Sequence, residues 1–221
     1  MVDSIASQRR VMTVGRSKKA VSRETSVSLI KSASLKLFVD KGYSNFRVED
    51  LAAACGFTKG TVYHYYRSKE EILLELLEDI EASILQEREK TLKEGPGDAT
   101  SRLVRFLYGH ASYAMQNPLE FCLLVVIAME FSNSNCRLGR KIRAIFNRLT
   151  DALESLIEAG LRTGEFSSSL TSRDFARVIV GCYSGNVVEW KRSKFDPAVG
   201  EALVRGVRIL IMNTLKQGRG I

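Results

Sequence analysis

The run Thr58-Lys59-Gly60-Thr61-Val62-Tyr63-His64-Tyr65-Tyr66 gathers hydroxyls, an ammonium, an imidazole and phenols into nine positions. It contains no nucleophile elbow, no Gly-rich phosphate loop and no His-carboxylate cluster. Its groups are hydrogen-bond donors at helical spacing, suited to base edges and phosphates in a nucleic-acid groove. Thr58 is placed to cap a helix in which Val62 and Tyr66, four residues apart, face inward. Lys59, Thr61, Tyr63 and His64 are thereby turned to other faces. Thr58, Lys59 and Thr61 occupy the first turn, the part of a recognition helix that meets base edges. Gly60 omits a side chain where backbone and DNA come closest, and the free N–H groups of the helix start favour a phosphate. Tyr63, His64 and Tyr65 add donors one turn later, and Lys69 adds positive charge at the start of the following helix.

These groups need a scaffold. Val48, Leu51, Ala52 and Cys55 at i, i+3, i+4 and i+7 predict a two-turn helix stopped by Gly56. An earlier helix from about Arg23 turns Ile30, Ala33, Leu37 and Phe38 to one side and ends before Gly42, a C-terminal cap free of Cβ clash. Ser68 and Glu71 have capping-box spacing and open a long helix through Ile72, Leu73, Leu76, Leu77, Ile80, Ile84 and Leu85. The short helix, the turn at Gly56 and the helix after Thr58 make a helix-turn-helix. Residues 1–22 lack a sustained helical apolar period and read as a mobile basic arm.

The stretch SLKLFVDKGYSNFRVEDLAAACGFTKGTVYHYYRSKEEILLELL, from Ser34 to Leu77, resembles the DNA-binding domain of the TetR family of regulators. The likeness lies in helix order, in the turn glycine and in the aromatic run before Ser68-Lys69-Glu70. It implies that Thr58, Lys59 and Thr61 approach bases, while Tyr63, His64, Tyr65 and Lys69 hold phosphates. Arg47 departs from the family pattern, which has a threonine or serine capping the second helix and touching phosphate. Arginine keeps only the phosphate role, so the cap is expected to pass to Asn45 or Ser44.

Beyond Ser68 the chain reads as helix throughout. Glu94-Gly95-Pro96-Gly97-Asp98 breaks it, and Asp98 caps a helix over about 99–116. Pro118 starts a very apolar helix to about Phe131, and Ser132 to Asn135 form a polar loop. Further helices are expected near 137–162, 172–192 and 197–216. The fold class is therefore all-α with about nine helices: an arm over 1–22, a three-helix DNA-binding domain over 23–67, and a larger effector-binding and dimerisation domain over 68–221. The family resemblance implies a homodimer through the last two helices, where Val178, Gly181, Cys182, Gly185, Val188, Leu203, Val207, Leu210, Ile211 and Thr214 supply small and apolar positions. It also implies an effector pocket in the second domain. Met115, Phe121, Met129, Glu130, Phe131, Phe146, Tyr183, Asn186 and Trp190 are the candidate lining residues, with Glu189 as a further polar group; so apolar a set suits a hydrophobic effector.

The bulk numbers fit. Residues 1–67 hold twelve Lys or Arg against five Asp or Glu, and residues 68–221 hold twenty-one against twenty, so the net charge of +8 is almost wholly N-terminal. A concentrated positive segment attracts a polyanion, here a double-stranded and palindromic DNA operator. With 45% hydrophobic and 26% charged residues the chain is globular rather than disordered. No apolar window reaches the eighteen or so residues of a membrane span, and the first twenty residues lack the apolar centre of an export signal. The four cysteines, Cys55, Cys122, Cys136 and Cys182, are far apart and expected reduced in a cytoplasm. His110 stands alone and is expected as a core or pocket residue, so no metal and no cofactor is implied. Two rival readings are a DNA-binding architectural protein without sequence preference and an enzyme housed in the second domain.

Overall fold

The computed structural model describes residues 15–131 and 133–216, which form nine helices and no strand. They are α1 (Gly15–Asn45), α2 (Val48–Cys55), α3 (Lys59–Tyr65), α4, α5 (Ala99–Gln116), α6 (Pro118–Phe131), α7 (Arg137–Thr163), α8 (Ser172–Arg192) and α9 (Pro197–Lys216). Helix α4 is a continuous rod of three pieces: α-helical Lys69–Ile80, a π-helical turn Glu81–Leu85, and α-helical Gln86–Glu94. The expectation of one uniform long helix missed that turn, which apolar spacing does not mark.

Caps set most of the boundaries. The side chains of Thr58, Ser68, Asp98 and Thr171 each accept the backbone N–H of the residue three further on, satisfying a donor with no partner inside the helix. Glu71 completes the start of α4 by accepting the N–H of Arg67 at 2.6 Å. Gly56 (φ 67°) and Gly164 (φ 76°) end α2 and α7 in the left-handed conformation. Cys136 caps α7 through its sulfur, 3.4 Å from the N–H of Gly139.

Two expectations at the N-terminal end are corrected. The segment expected as an arm over 1–22 is helical from residue 15, because after Gly15 the sequence has no glycine or proline to stop α1 from extending, one hydrogen bond per added residue. Residues 1–14 lie outside the described residues. Gly42 has φ 73° and ψ 172° and breaks α1 as expected, but a further short turn follows it to Asn45.

The apolar core is divided in two, and the division does not follow the expected boundary at residue 67. One cluster joins Phe38, Leu51 and Val62 of the first three helices to Leu73 and Leu77 of α4, Ile127 of α6 and Ile142 of α7. The other joins Leu92, Leu103, Phe106, Leu153, Phe175 and Ile211 at the far end. The three N-terminal helices therefore share a single core with the near half of the remaining chain. Burial of this kind is worth about 1.5–3 kcal/mol for each large side chain, so the two parts move against one another only at considerable expense.

Candidate DNA interface and effector cavity

On α3 the inward and outward faces separate as the spacing predicts. Val62 and Tyr66 are buried, while Thr58, Lys59, Gly60, Tyr63 and His64 are exposed and Thr61 is half-buried. The Thr58 hydroxyl accepts the N–H of Thr61 at 3.1 Å and lies 2.8 Å from the Thr61 hydroxyl, so the two threonines hold each other's rotamers. Lys59 pairs with Glu49 of α2 at 2.5 Å, which depresses the Glu49 carboxyl through that hydrogen bond, and its ammonium lies 5.9 Å from the Tyr63 ring centre. An exposed pair like this is weak and readily exchanged for a phosphate. The His64 and Tyr65 rings meet edge to face at 5.3 Å, and Tyr65 also packs on the core, so its ring is partly a structural element.

Arg47 is exposed at the N-terminal cap position of α2. No side chain caps this helix, which corrects the expectation for Asn45 and Ser44. The Asn45 amide donates to the Lys41 carbonyl at 3.1 Å, and Ser44 is engaged elsewhere. Glu49 and Asp50 in the first turn compensate by placing negative charge at the positive end of the helix.

Lys69 is drawn inward. Its ammonium donates to the Tyr43 carbonyl at 2.7 Å, lies 3.4 Å from the Phe46 carbonyl and 3.5 Å from that of Ser44, and sits 4.3 Å from the Tyr43 ring centre. It therefore fastens the start of α4 to the turn between α1 and α2. Carbonyls do not cancel its charge, so its field still reaches a phosphate nearby.

The same turn is held from the other side by a residue expected in the pocket. Glu130, next to last in α6, accepts the N–H groups of Tyr43 and Ser44, both at 2.7 Å, and the Ser44 hydroxyl. Burial works against its charge, but the Ser44 hydroxyl and the two N–H groups outweigh it and keep the carboxyl below the usual range. Phe131 meets the Tyr43 ring edge to face at 5.2 Å, and Met129 is 75% exposed. Glu130 and Phe131 are thus corrected as pocket residues, and Met129 lines only an open groove between α6 and α8: all three occupy the last turn of α6, which has run on to the DNA-binding helices. Lys191 of α8 reaches the same region, donating to the Val39 carbonyl at 2.6 Å near the end of α1.

Two adjoining apolar clefts lie among α4 to α9, besides a more open groove between α6 and α8 lined by Cys122, Val125, Val126, Met129 and Val188. The larger, with about 540 Å³ of empty space, is walled by Ile80 and Ile84 of α4, Phe121 and Leu124 of α6, Phe146 of α7 and Tyr183 of α8, with His110, Glu81 and Ser184 as its polar groups. The smaller, about 390 Å³, includes Met115, Asn186, Trp190, Gly200 and Leu203. Phe121, Tyr183 and Val187 border both. These volumes include space open to solvent and the enclosed room is far smaller, so it is the apolar lining with few polar groups, not the size, that resembles a small-molecule site. Of the expected lining residues Met115, Phe121, Phe146, Tyr183, Asn186 and Trp190 are found here. Asn186 donates to the Leu203 carbonyl at 3.3 Å and the Trp190 indole to the Asp196 carbonyl at 2.8 Å, while Glu189 pairs with Arg192 at 2.8 Å.

Sequence reasoning missed Glu81, which the π-helical turn brings to the cleft. Burial alone would raise its carboxyl, but Lys141 and Arg148 overcome that and lower it. His110 was foreseen only as a core or pocket histidine. It is 3% exposed, its Nδ1 has no hydrogen-bond partner, and burial, aided by the neighbouring Arg88 charge, lowers it to about 3. It is neutral at ordinary pH. The Phe106, Phe121 and Tyr183 rings surround it at 5.2, 4.9 and 4.5 Å.

On α8, Val178, Gly181, Gly185 and Val188 lie exposed along one face, beside exposed Ile209 and Leu210 of α9. Val207 and Ile211, expected in the same outward stripe, are buried within the chain. Among the described residues no three His, Cys, Asp or Glu side chains gather as metal donors, and no single helix is long and apolar enough to cross a membrane.

Residues 30–76 match the family model described as bacterial regulatory proteins, tetR family, and residues 78–213 match the model of the YsiA-like protein C-terminal region. A fatty acid metabolism regulator protein of Bacillus subtilis is 26% identical over 185 residues, 80% of this chain and 93% of its own. The HTH-type transcriptional repressor NicS of Pseudomonas putida is 27% identical over 64% of this chain and 66% of its own. Among solved structures, the MbdR regulator of Azoarcus sp. CIB superimposes with a TM-score of 0.77 at 28% identity, covering 86% of this chain and 98% of its own.

Proposed function

The chain belongs to the TetR family of DNA-binding transcriptional regulators, and from that premise we propose that it is a repressor which leaves a palindromic operator when an apolar effector enters the cleft beneath α4. Members of the family bind DNA operators and small-molecule effectors and act as dimers. The observation that carries the fuller reading is the path of α6: Phe121 and Leu124 wall the cleft, while Glu130 holds the turn that leads into α2 and α3. A ligand that displaces α6 shifts the reading edge with it, so binding at one site is coupled to the other.

In this reading Thr58, Lys59, Gly60 and Thr61 read bases, and Arg47, Tyr63, His64, Tyr65 and Lys69 secure the backbone. The exposed face of Val178, Gly181, Gly185 and Val188, with Ile209 and Leu210, supports a homodimer through α8 and α9, and a two-fold dimer matches a palindrome. The name of the Pseudomonas putida relative, a repressor, supports repression. A regulator of chromosomal genes acts in the cytoplasm, and the reading involves no catalytic step, cofactor, metal or membrane.

The test is selection of fragments from the source genome with the purified full chain at physiological salt. A palindrome preferred over random DNA by about a thousandfold or more is expected. Equal affinity for both would overturn the reading in favour of a non-specific DNA-binding protein.

A further inference from the structure

One helical turn beyond the larger cleft lies a mostly buried charge whose one ion pair among the described residues is long and made to an exposed partner. Arg88 lies on α4, four residues beyond the cleft residue Ile84, with its side chain only 11% exposed. Its nearest carboxylate is that of its neighbour Glu87, 3.9 Å away and 73% exposed. Its Nε is buried without a partner. Space for the guanidinium is provided by Gly109 of α5, where an added Cβ would stand 2.5 Å from Nη1. Beside Gly109 is His110, whose unpartnered Nδ1 belongs to a side chain lining the cleft. The Arg88 charge acts on both His110 and Tyr113, which stand on α5 on either side of the turn that follows Gly109. Tyr113 itself is satisfied, its hydroxyl lying 2.7 Å from a Glu120 carboxylate oxygen and 2.8 Å from the Ser83 hydroxyl.

A mostly buried cation whose carboxylate partner is exposed and 3.9 Å away is poorly compensated, an arrangement that costs folding free energy. The carboxylate at the other part of the wall does not compensate it. Glu81 is already held by Lys141 at 2.5 Å and by Arg148 at 2.7 Å. The α5 edge of the cleft is therefore positive, and the rest of its lining is almost wholly apolar.

We propose that the effector is an apolar molecule bearing an anionic oxygen head group, which enters with its hydrocarbon part between α4 and α6 and is recognised by Arg88 and His110. Arg88 supplies the charge and two parallel N–H groups, the geometry that fits a carboxylate. His110, neutral, adds one directional hydrogen bond without a second charge. This inference rests on reading the cleft as the effector site.

Calorimetric titration of the full-length protein with decanoate, decan-1-ol and decyltrimethylammonium, all below their micellar concentrations, separates the head groups on a common chain. Decanoate is expected to bind at least about tenfold more tightly than the alcohol, as a charge-assisted hydrogen bond implies. Arg88→Gln should abolish that preference while leaving affinity for decan-1-ol within about twofold. Gly109→Ala, which keeps the arginine but displaces its guanidinium, should weaken decanoate in the same direction. Without ligand, Arg88→Gln should melt no lower than the parent protein, because it removes a mostly buried charge that is only weakly paired. Equal affinity for decanoate and decan-1-ol, or tighter binding of the ammonium, would overturn the head-group assignment and leave the apolar cleft standing. Binding of none of the three would overturn both.

Discussion

At the reading edge Thr58, Thr61, Lys59 and Glu49 satisfy one another in the open, whereas at and beside the cleft His110 Nδ1 and Arg88 Nε are buried without hydrogen-bond partners. The first arrangement has side chains already placed and held only by weak exposed contacts, so exchange for DNA needs little reorganisation. The second stores unfavourable free energy that a ligand of matching chemistry can relieve. A surface that must find one sequence among many benefits from order, and a sensor that must report occupancy benefits from being incomplete when empty.

The sharpest way to break this contrast is through what the two regions share. Phe38 is fully buried in the cluster that joins the N-terminal helices to α4 and α6, so Phe38→Ala should lower stability by about 3–5 kcal/mol. DNA binding and effector binding should fail in a single thermal or denaturant transition. Two separate transitions would show that the regions fold independently and that the shared core is only contact.

The two lysines give the next largest effects, of different kinds. Lys69→Ala removes the ammonium from the turn carbonyls and should lower the melting temperature by several degrees, on the order of 1–2 kcal/mol, as well as weakening operator binding. Lys59→Ala should leave the melting temperature unchanged, weaken the operator by about 1–3 kcal/mol and relax sequence preference. If both variants melt like the parent, Lys69 is a phosphate contact alone.

Smaller still, Tyr63→Phe should weaken all DNA sequences alike by about 1 kcal/mol, through loss of one phosphate hydrogen bond, with no change in circular dichroism. The mildest expected effect is one of pH. The Glu130 carboxyl is depressed in the folded protein, so its contribution to the contact with Tyr43 and Ser44 is complete above the unfolded value near 4.3 and fades as pH falls through the lower folded one. Glu130→Gln should accordingly flatten the acid limb of a stability profile below about pH 5; an unchanged limb would show that the contact adds nothing to stability.

How much of this was legible in the sequence depends on distance along the chain. Caps act over three residues, so Thr58, Ser68 and Asp98 marked their helices in advance, and apolar spacing marked the faces of α2 and α3. A minority of the cleft lining, including Phe121, Phe146 and Tyr183, could be nominated because large apolar residues on mid-chain helices have few other places to go. Glu130 could not, because its partners are 86 and 87 positions away and its neighbours Met129 and Phe131 made it look like part of a pocket wall. Arg88 and Gly109 read as an ordinary charged helix position and a weak helix former. Only packing shows that the second makes room for the first.

The π-helical turn in α4 has a consequence for orientation. One residue beyond α-helical count advances everything after it by about 100° around the axis. Before the turn α4 presents Leu73, Leu77 and Ile80 to the N-terminal cluster; after it, Leu92 faces the distal one. The rod is thus a screw whose thread is offset at Glu81–Leu85, beside the cleft. A thread offset where a ligand presses can slip or re-engage, and that would convert a push from the side into rotation of the half of α4 nearest the DNA.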